Sequence, residues 1–306
     1  MTLRTALTQA LQVRYPVVLA AMDVATDARL ARAVTEAGGF AFVGAGYGGE
    51  AWLSGELESI ASCARRNRRS FGVGFASWSL DGQPALLDLA LRHGPKAIWL
   101  SFGAPDPWIE RIHAAGALAV CQVQSEAMAD AALRAGADIL VAQGAEFTDD
   151  GGRAGSLRLL PSVVDLAGHR VPVIAAGGFA SGRGLAAALM LGACGVVLDT
   201  SFFGKQSSVA VDQGPTDVSS PSLHAVSPPD SPGNRSVARD HLKYWLGREI
   251  ERLRGSPGEE DRYAGRRELA DTDGALAANL AVSVAALVDE AEEALRGLRR
   301  FPSRAQ

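Results

Sequence analysis

The sequence has few cysteines and no long apolar run, and these two absences exclude several classes of protein. Cys63, Cys121 and Cys194 are scattered through 306 residues, without a CxxC motif or a histidine-rich partner segment. This spacing argues against a disulfide framework and against a metal site, and it fits a reducing compartment such as the cytoplasm. No run approaches about 18 consecutive apolar residues, so we expect no membrane span.

An excess of one charge is also lacking. The chain has 30 Lys and Arg against 34 Asp and Glu, which gives a formal net charge of −4. This balance offers no electrostatic case for nucleic acid or an anionic membrane as a partner. The residues before Val17 lack an apolar segment with a small-residue cleavage site, so we expect no secretory signal. Hydrophobic residues make up 47% of the chain, which is enough for a large buried core.

A repeated pattern of apolar run, turn and helical stretch predicts a (β/α)8 TIM barrel. Continuous apolar runs are typical of parallel strands that are buried on both faces. A spacing of about 20–25 residues per unit suits a compact barrel better than a dinucleotide-binding fold. The predicted strands are Val17–Ala21, Phe40–Gly44, Phe71–Ala76, Ala97–Ser101, Ala117–Gln122, Ile139–Gln143, Val173–Ala176 and Gly195–Asp199.

Composition divides the chain into three predicted segments. Residues 1–205 form the barrel, and residues 206–240 are rich in Ser and Pro without any period, which is typical of a flexible surface segment. The alternative for the second segment is a lid, since it leaves from the carboxyl end of the last strand. Residues 241–306 are predicted to form a C-terminal helical extension packed on the barrel, through an apolar stripe of Leu276, Leu280, Val284, Leu287 and Val288.

Paired glycines after the seventh strand predict a phosphate site. Gly177 and Gly178 lead into a helix whose N-cap is predicted to be Ser181, and Thr200 follows the eighth strand. Barrels often bind phosphate between these two loops, through glycine amides and a helix N-terminus. The alternative is that the glycines only form a tight turn, but the Thr200 hydroxyl on the next loop favours phosphate.

Two glutamines end neighbouring strands. Gln143 can donate and accept hydrogen bonds, which suits the pyrimidine edge or the ribityl hydroxyls of a flavin. Gln122 either points the same way or caps the next helix. The segment Gly44–Gly49 matches GxGxxG but lacks the acidic residue that a dinucleotide site has about 20 positions further on. We interpret it as a glycine loop over the barrel mouth.

These motifs resemble those of the nitronate monooxygenase (2-nitropropane dioxygenase) family of FMN-dependent TIM barrels, which also includes FMN-dependent enoyl-ACP reductases. The resemblance implies a flavoprotein that oxidises an alkyl nitronate, or a related anionic carbon acid, with O2. A small molecule is then the substrate. The resemblance lies in Leu19–Met22, Glu36–Tyr47, Phe71–Gly74, Gly136–Gly144, Val173–Gly178 and Gly182–Leu189.

The resemblance also implies a set of site residues. We place Arg153 at the catalytic position, because it follows Gly151-Gly152 where the family has histidine; arginine can bind an anion but cannot act as a base. The cofactor contacts that the resemblance implies are Met22, Gln143, Gly151, Gly177, Gly178 and Thr200. To these we add Gln122, because it ends a neighbouring strand, and Gly74 and Asp199, which stand at positions of the family pattern.

Two of those positions depart from the family pattern. Gly74 stands where the family often has asparagine, so one flavin contact is lost. Asp199 stands where the family commonly has glycine, and a carboxylate near a phosphate is unfavourable unless it turns away or pairs with a cation. These departures leave two alternatives open: an NAD(P)H-dependent FMN enoyl reductase, and a degenerate barrel that binds a ligand without turnover.

Overall fold

Parallel strands close into a barrel in chain order in a computed structural model, which describes residues 3–22, 26–45, 49–144, 154–168, 170–198 and 272–298. The first strand pairs with the second and with the eighth, so the described sheet has no free edge. This confirms the predicted (β/α)8 barrel and excludes a dinucleotide-binding sheet. The strands are β1 Val17–Leu19, β2 Phe40–Gly44, β3 Gly72–Ala76, β4 Ala97–Ser101, β5 Leu118–Val123, β6 Ile139–Gln143, β7 Val173–Ala176 and β8 Val196–Leu198.

Helices connect the strands and surround the barrel. Ser125 and Ser181 cap the helices after β5 and β7, the second of them as predicted, because each side chain accepts a hydrogen bond from an amide of the first turn. The helix after β1 begins one residue beyond Asp27, which is its N-cap. The described helices are α1 Ala6–Leu11, α2 Ala28–Ala37, α3 Gly49–Asn67, α4 Ser77–Gly82, α5 Ala85–Arg92, α6 Asp106–Ala114, α7 Glu126–Ala135, α8 Ser156–Ala167, α9 Gly182–Met190 and α10 Thr272–Leu298.

Alternate residues of the same strands build two separate cores. One face of each strand packs on the surrounding helices, and the other fills the barrel interior, where Phe42 contacts the rings of Phe40 and Trp99. Helix α1 closes the amino end of the interior, because Leu7 and Leu11 belong to this inner cluster. The strand residues at the amino end therefore serve packing.

The long helix α10 packs on the outside of the barrel against α2 and α9. Val284, Leu287, Val288 and Ala291 are at most 4% exposed and belong to the outer core. Three of these residues, Val284, Leu287 and Val288, are in the predicted apolar stripe. For Leu276 and Leu280, the other two members, the structure describes the helix but not the side chains. The limits of the three predicted segments stay a prediction. No helix among the described ranges is long and apolar enough to cross a membrane.

Candidate functional site

Three glutamine side chains meet at the carboxyl ends of β5 and β6. The Nε2 of Gln122 donates to the Oε1 of Gln143 at 2.5 Å, and the Nε2 of Gln124 donates to the same oxygen at 2.6 Å. The carbonyl oxygen of Gln143 therefore has two donors from the protein, and its NH2 group is the part that can turn to a ligand. Gln143 is thus presented as a donor, a narrower role than the sequence predicts.

The strand pattern explains why these side chains converge. Val120 and Val141 belong to the inner core, and alternation puts Gln122 and Gln143 on the same inward face one step nearer the carboxyl end. Gln122 does not cap the next helix, since the Ser125 hydroxyl accepts the N–H of Met128 there. The other alternative for Gln122, that it points the same way as Gln143, is the one observed.

Gln124 belongs to this glutamine cluster, although it is not among the residues predicted from the sequence. It is only 7% exposed and lies one residue beyond β5. Its position two residues after Gln122 is the signal that could have found it, because alternate residues of an extended chain point to the same side. A buried amide needs partners, and Gln143 supplies one of them.

The turn after β7 has the backbone that a close phosphate contact needs. Gly177 and Gly178 have φ angles of +108° and +74°, a region that side chains disfavour. Within the described part of the chain, neither amide N–H has a hydrogen-bond acceptor. Two amides on a turn without side chains can donate to an anion, so the phosphate role of this turn stays a prediction.

The N-terminus of α9 contributes less to this turn than the sequence predicts. The Ser181 hydroxyl accepts from the N–H of Gly184 at 3.2 Å, and a Glu290 carboxylate oxygen on α10 accepts from the N–H of Gly182 at 2.8 Å. A Cβ on Gly182 would lie 2.3 Å from the carbonyl oxygen of Leu287, so only glycine lets the two helices approach. Protein groups therefore occupy two of the first amides of α9, which leaves the glycine turn as the main candidate for phosphate.

The glutamine cluster and the glycine turn are neighbours. The N–H of Gly144 donates to the carbonyl oxygen of Ala176 at 3.0 Å, which ties the end of β6 to the end of β7. Gln143 and Gly177 adjoin the two ends of this bond. A ligand whose phosphate lies on the glycine turn could therefore also accept a hydrogen bond from Gln143.

Two further predicted contacts lie at the ends of β1 and β3. Met22 is half-buried, and its N–H donates to the Thr26 hydroxyl at 2.8 Å, which fixes the bend after β1. A Cβ on Gly74 would lie only 2.1 Å from the Cβ of Ala21, so Ala21 takes the space that an asparagine would need. This contact also accounts for β1 ending at Leu19 instead of the predicted Ala21, since Ala21 leaves the strand to pack over Gly74.

The remaining predicted site residues cannot be placed. Gly151, Arg153, Asp199 and Thr200 lie outside the described residues, as does the segment 206–240. In the ranges that are described, no group of three His, Cys, Asp or Glu side chains could hold a metal ion. His113 pairs instead with Asp138 at 2.9 Å, before β6 and therefore at the amino end of the barrel.

Comparison with known proteins gives the family. Residues 79–228 match the family model described as nitronate monooxygenase. The nitronate monooxygenase npaC of Metarhizium robertsii is 35% identical over 63% of this chain and 59% of its own length. A crystal structure of nitroalkane oxidase from Streptomyces ansochromogenes is 30% identical, with a TM-score of 0.56 over 65% of this chain and 68% of that one.

A third similar protein is named for a different activity. The (3aS,4S,5R,7aS)-5-hydroxy-7a-methyl-1-oxo-octahydro-1H-indene-4-carboxyl-CoA dehydrogenase of Mycobacterium tuberculosis is 33% identical over 69% of this chain and 59% of its own length. The chain therefore spans just under three fifths of the length of both curated relatives.

Proposed function

The chain belongs to the nitronate monooxygenase family, and from that premise we propose that it is an FMN-dependent oxidoreductase that oxidises an alkyl nitronate, or a related anionic carbon acid, with O2. The observation that carries the proposal is the pairing of a donor-only glutamine with a two-glycine turn at the carboxyl ends of β6 and β7. A flavin mononucleotide has the matching groups, namely hydrogen-bond acceptors on its ring or ribityl chain and a terminal phosphate.

The residues present fit that cofactor. Gly177 and Gly178 would hold the phosphate through their amides, and charge-assisted hydrogen bonds of this kind are among the stronger ones in proteins. Gln143 would donate to the ring or the ribityl chain, with its orientation set by Gln122 and Gln124. When bound, the flavin supplies the electron transfer to O2, and the protein supplies orientation and electrostatics.

The proposed choice of substrate follows from the charge of the residue that we assign to the catalytic position. We take Arg153 to stand at the position of the family histidine, where it would supply a permanent cation and no general base. A nitronate is already an anion and needs no deprotonation, whereas a neutral nitroalkane must lose a proton to a base. We therefore propose that Arg153 binds the anionic substrate, with Met22, Gly74, Gly151, Asp199 and Thr200 kept as proposed cofactor contacts.

The experiment is oxygen consumption by the FMN-loaded protein with each form of one substrate. A pre-ionised alkyl nitronate should be oxidised much faster than the same compound presented as the neutral nitroalkane. The Arg153→Met variant should raise KM for the nitronate, because the cation that binds it is gone. Equal rates with the two forms would contradict the assignment of the site to anions.

A second candidate is oxidoreduction of a coenzyme A thioester, which the name of the Mycobacterium tuberculosis relative favours. This candidate would use the same FMN site as a nitronate monooxygenase, but with a different electron donor and a different substrate. The same is true of the enoyl reductase alternative. Steady oxidation of NADH or NADPH by the flavin-loaded protein with an enoyl thioester, and no oxygen uptake with nitronate, would select this second candidate.

A further inference from the structure

A basic cavity lies at the end of the barrel opposite the proposed flavin site. It has a volume of about 440 Å³, within the range of about 300–1,000 Å³ that is usual for small-molecule sites. Its wall includes Phe71, Lys96 and Gly116, which come shortly before or at the starts of β3, β4 and β5. We call it the amino-end cavity.

The wall of the amino-end cavity has cations and no carboxylate. Arg65, Arg68, Arg69 and Lys96 line it together with His93, and its apolar surface includes Phe71. No described carboxylate makes an ion pair with these side chains. Four cations concentrated around one concave surface, on a chain with net charge −4, produce a local positive potential that favours an anion.

The backbone at Arg68 supplies an independent observation. The N–H of Arg69 donates to the carbonyl oxygen of Ala64 at 2.9 Å, which is the six-to-one bond of a Schellman motif at the end of α3. Arg68 lies at the left-handed position of this motif with φ of +51°. A non-glycine residue in that conformation is strained.

Other helices of this chain show what the position normally holds. Glycine occupies the left-handed position after α2, α7 and α8, at Gly38, Gly136 and Gly168. Gln12 has the same left-handed conformation after α1, so Arg68 is one of a few non-glycine residues in this conformation among the described residues. Strain of this kind clusters at functional sites. The dipole of α3 is a weaker explanation, because Arg65 and Arg66 already place two cations in its last turn.

We propose that the amino-end cavity binds a phosphorylated small molecule through its arginine and lysine side chains. The phosphoryl oxygens would lie among the cations, and the apolar surface beside Phe71 would take the body of the ligand. The concave shape favours a small molecule over a long polyanion, which would need an extended positive surface. The site is independent of the proposed flavin site, since the two lie at opposite ends of the strands.

The test is calorimetric titration of the whole chain with inorganic pyrophosphate, with and without excess FMN. Saturable binding is expected and should be the same in both conditions, because FMN would fill only the carboxyl end. Arg68→Gly should weaken pyrophosphate binding at least tenfold without lowering the melting temperature, since glycine suits the left-handed backbone. Lys96→Met is a second variant with the same expected direction, and Arg158→Ala, an exposed arginine on α8, is the matched control.

Three results would overturn the proposal. One is the absence of saturable pyrophosphate binding, and another is equal binding by the wild-type chain and Arg68→Gly. The third is loss of the binding when FMN is added, which would place the pyrophosphate on the glycine turn. Tighter binding of a single-stranded oligonucleotide than of pyrophosphate, weakened by the same variants, would replace the small molecule with nucleic acid.

Discussion

The two ends of the barrel differ in what fills them. At the amino end, Leu7 and Leu11 of α1 pack against the inner core, which contains large rings such as that of Phe40. At the carboxyl end, the inward positions carry the amides of Gln122 and Gln143 beside a two-glycine turn. Inside the barrel, close packing at the amino end is therefore separated along the strands from the proposed flavin contacts at the carboxyl end, so damage to one end should leave the other largely intact.

The largest expected effect is a loss of stability, caused by a change at the amino end of the barrel. Leu11→Ala removes a side chain that is 1% exposed, and truncations of this kind cost about 2–5 kcal/mol. The free energy of unfolding from urea titration should fall by that amount, while the affinity for FMN stays within about twofold of the wild-type value.

Leu157→Ala is the control for this change, because Leu157 is 79% exposed and its loss should alter stability by less than about 0.5 kcal/mol. An equal fall in the free energy of unfolding for the two variants, or a large loss of FMN affinity in Leu11→Ala, would contradict the view that the two ends act independently.

The next largest effect is expected on the affinity for FMN, from a change at the carboxyl end of the barrel. Gly177→Ala places a side chain on a backbone with φ of +108°, both straining the turn and obstructing the approach of a phosphate. FMN affinity should fall at least tenfold, which is about 1.4 kcal/mol. Fluorescence titration of FMN with the protein gives the dissociation constant.

Gly116→Ala separates the strain from the ligand contact. Gly116 has φ of +73° at the amino end, and its Cβ would meet nothing within 4 Å. This variant should lose stability through backbone strain yet keep the FMN affinity. If Gly116→Ala weakened FMN as much as Gly177→Ala did, the glycine turn would have no special role.

A smaller effect on the affinity for FMN is expected when the side-chain amide of Gln124, the second donor to Gln143, is removed. Gln124→Leu removes a hydrogen bond of 2.6 Å and frees the amide of Gln143 to rotate. A hydrogen bond contributes about 0.5–1.5 kcal/mol, so FMN should bind about twofold to tenfold more weakly. Gln83→Leu, at an exposed glutamine, is the control; an unchanged dissociation constant in Gln124→Leu would remove Gln124 from the site.

The smallest effect concerns the reactivity of two cysteine thiols. Burial raises the pKa of the Cys121 thiol to about 12, with the nearby carboxylates of Asp138 and Asp106 adding to the rise. A raised thiol pKa means that the neutral form persists as the pH rises, so Cys121 should not react with a thiol reagent at pH 8 in the native state. Half-exposed Cys194 should react, and Cys194→Ser should abolish the native reaction. Labelling of native Cys121 at pH 8 would contradict its burial.

The barrel and part of the site could be predicted from the sequence because their signals are local. Each buried parallel strand is a continuous apolar run, and β2, β4, β6 and β7 have the predicted bounds. The pair Gly177-Gly178 predicts a turn with a backbone that favours glycine, and both residues have a positive φ in the structure. In each case neighbouring residues carry the whole signal.

The missed features depend on partners that are distant in the sequence. Glu290 reaches the N–H of Gly182 across 108 positions, and no local pattern marks that pair. Helix α1 is too short to show a helical period, although Leu7 and Leu11 close the barrel. The space beside Gly74 is taken by Ala21, which depends on how the ends of β1 and β3 meet.

The central claim is that the carboxyl end of the barrel holds FMN, and the visible absorbance spectrum tests it most directly. The purified protein, incubated with FMN and then desalted, should keep about one flavin per chain, and the Gly177→Ala variant treated in the same way should keep far less. A wild-type protein that is colourless after this treatment would contradict the account of the glutamine cluster and the glycine turn.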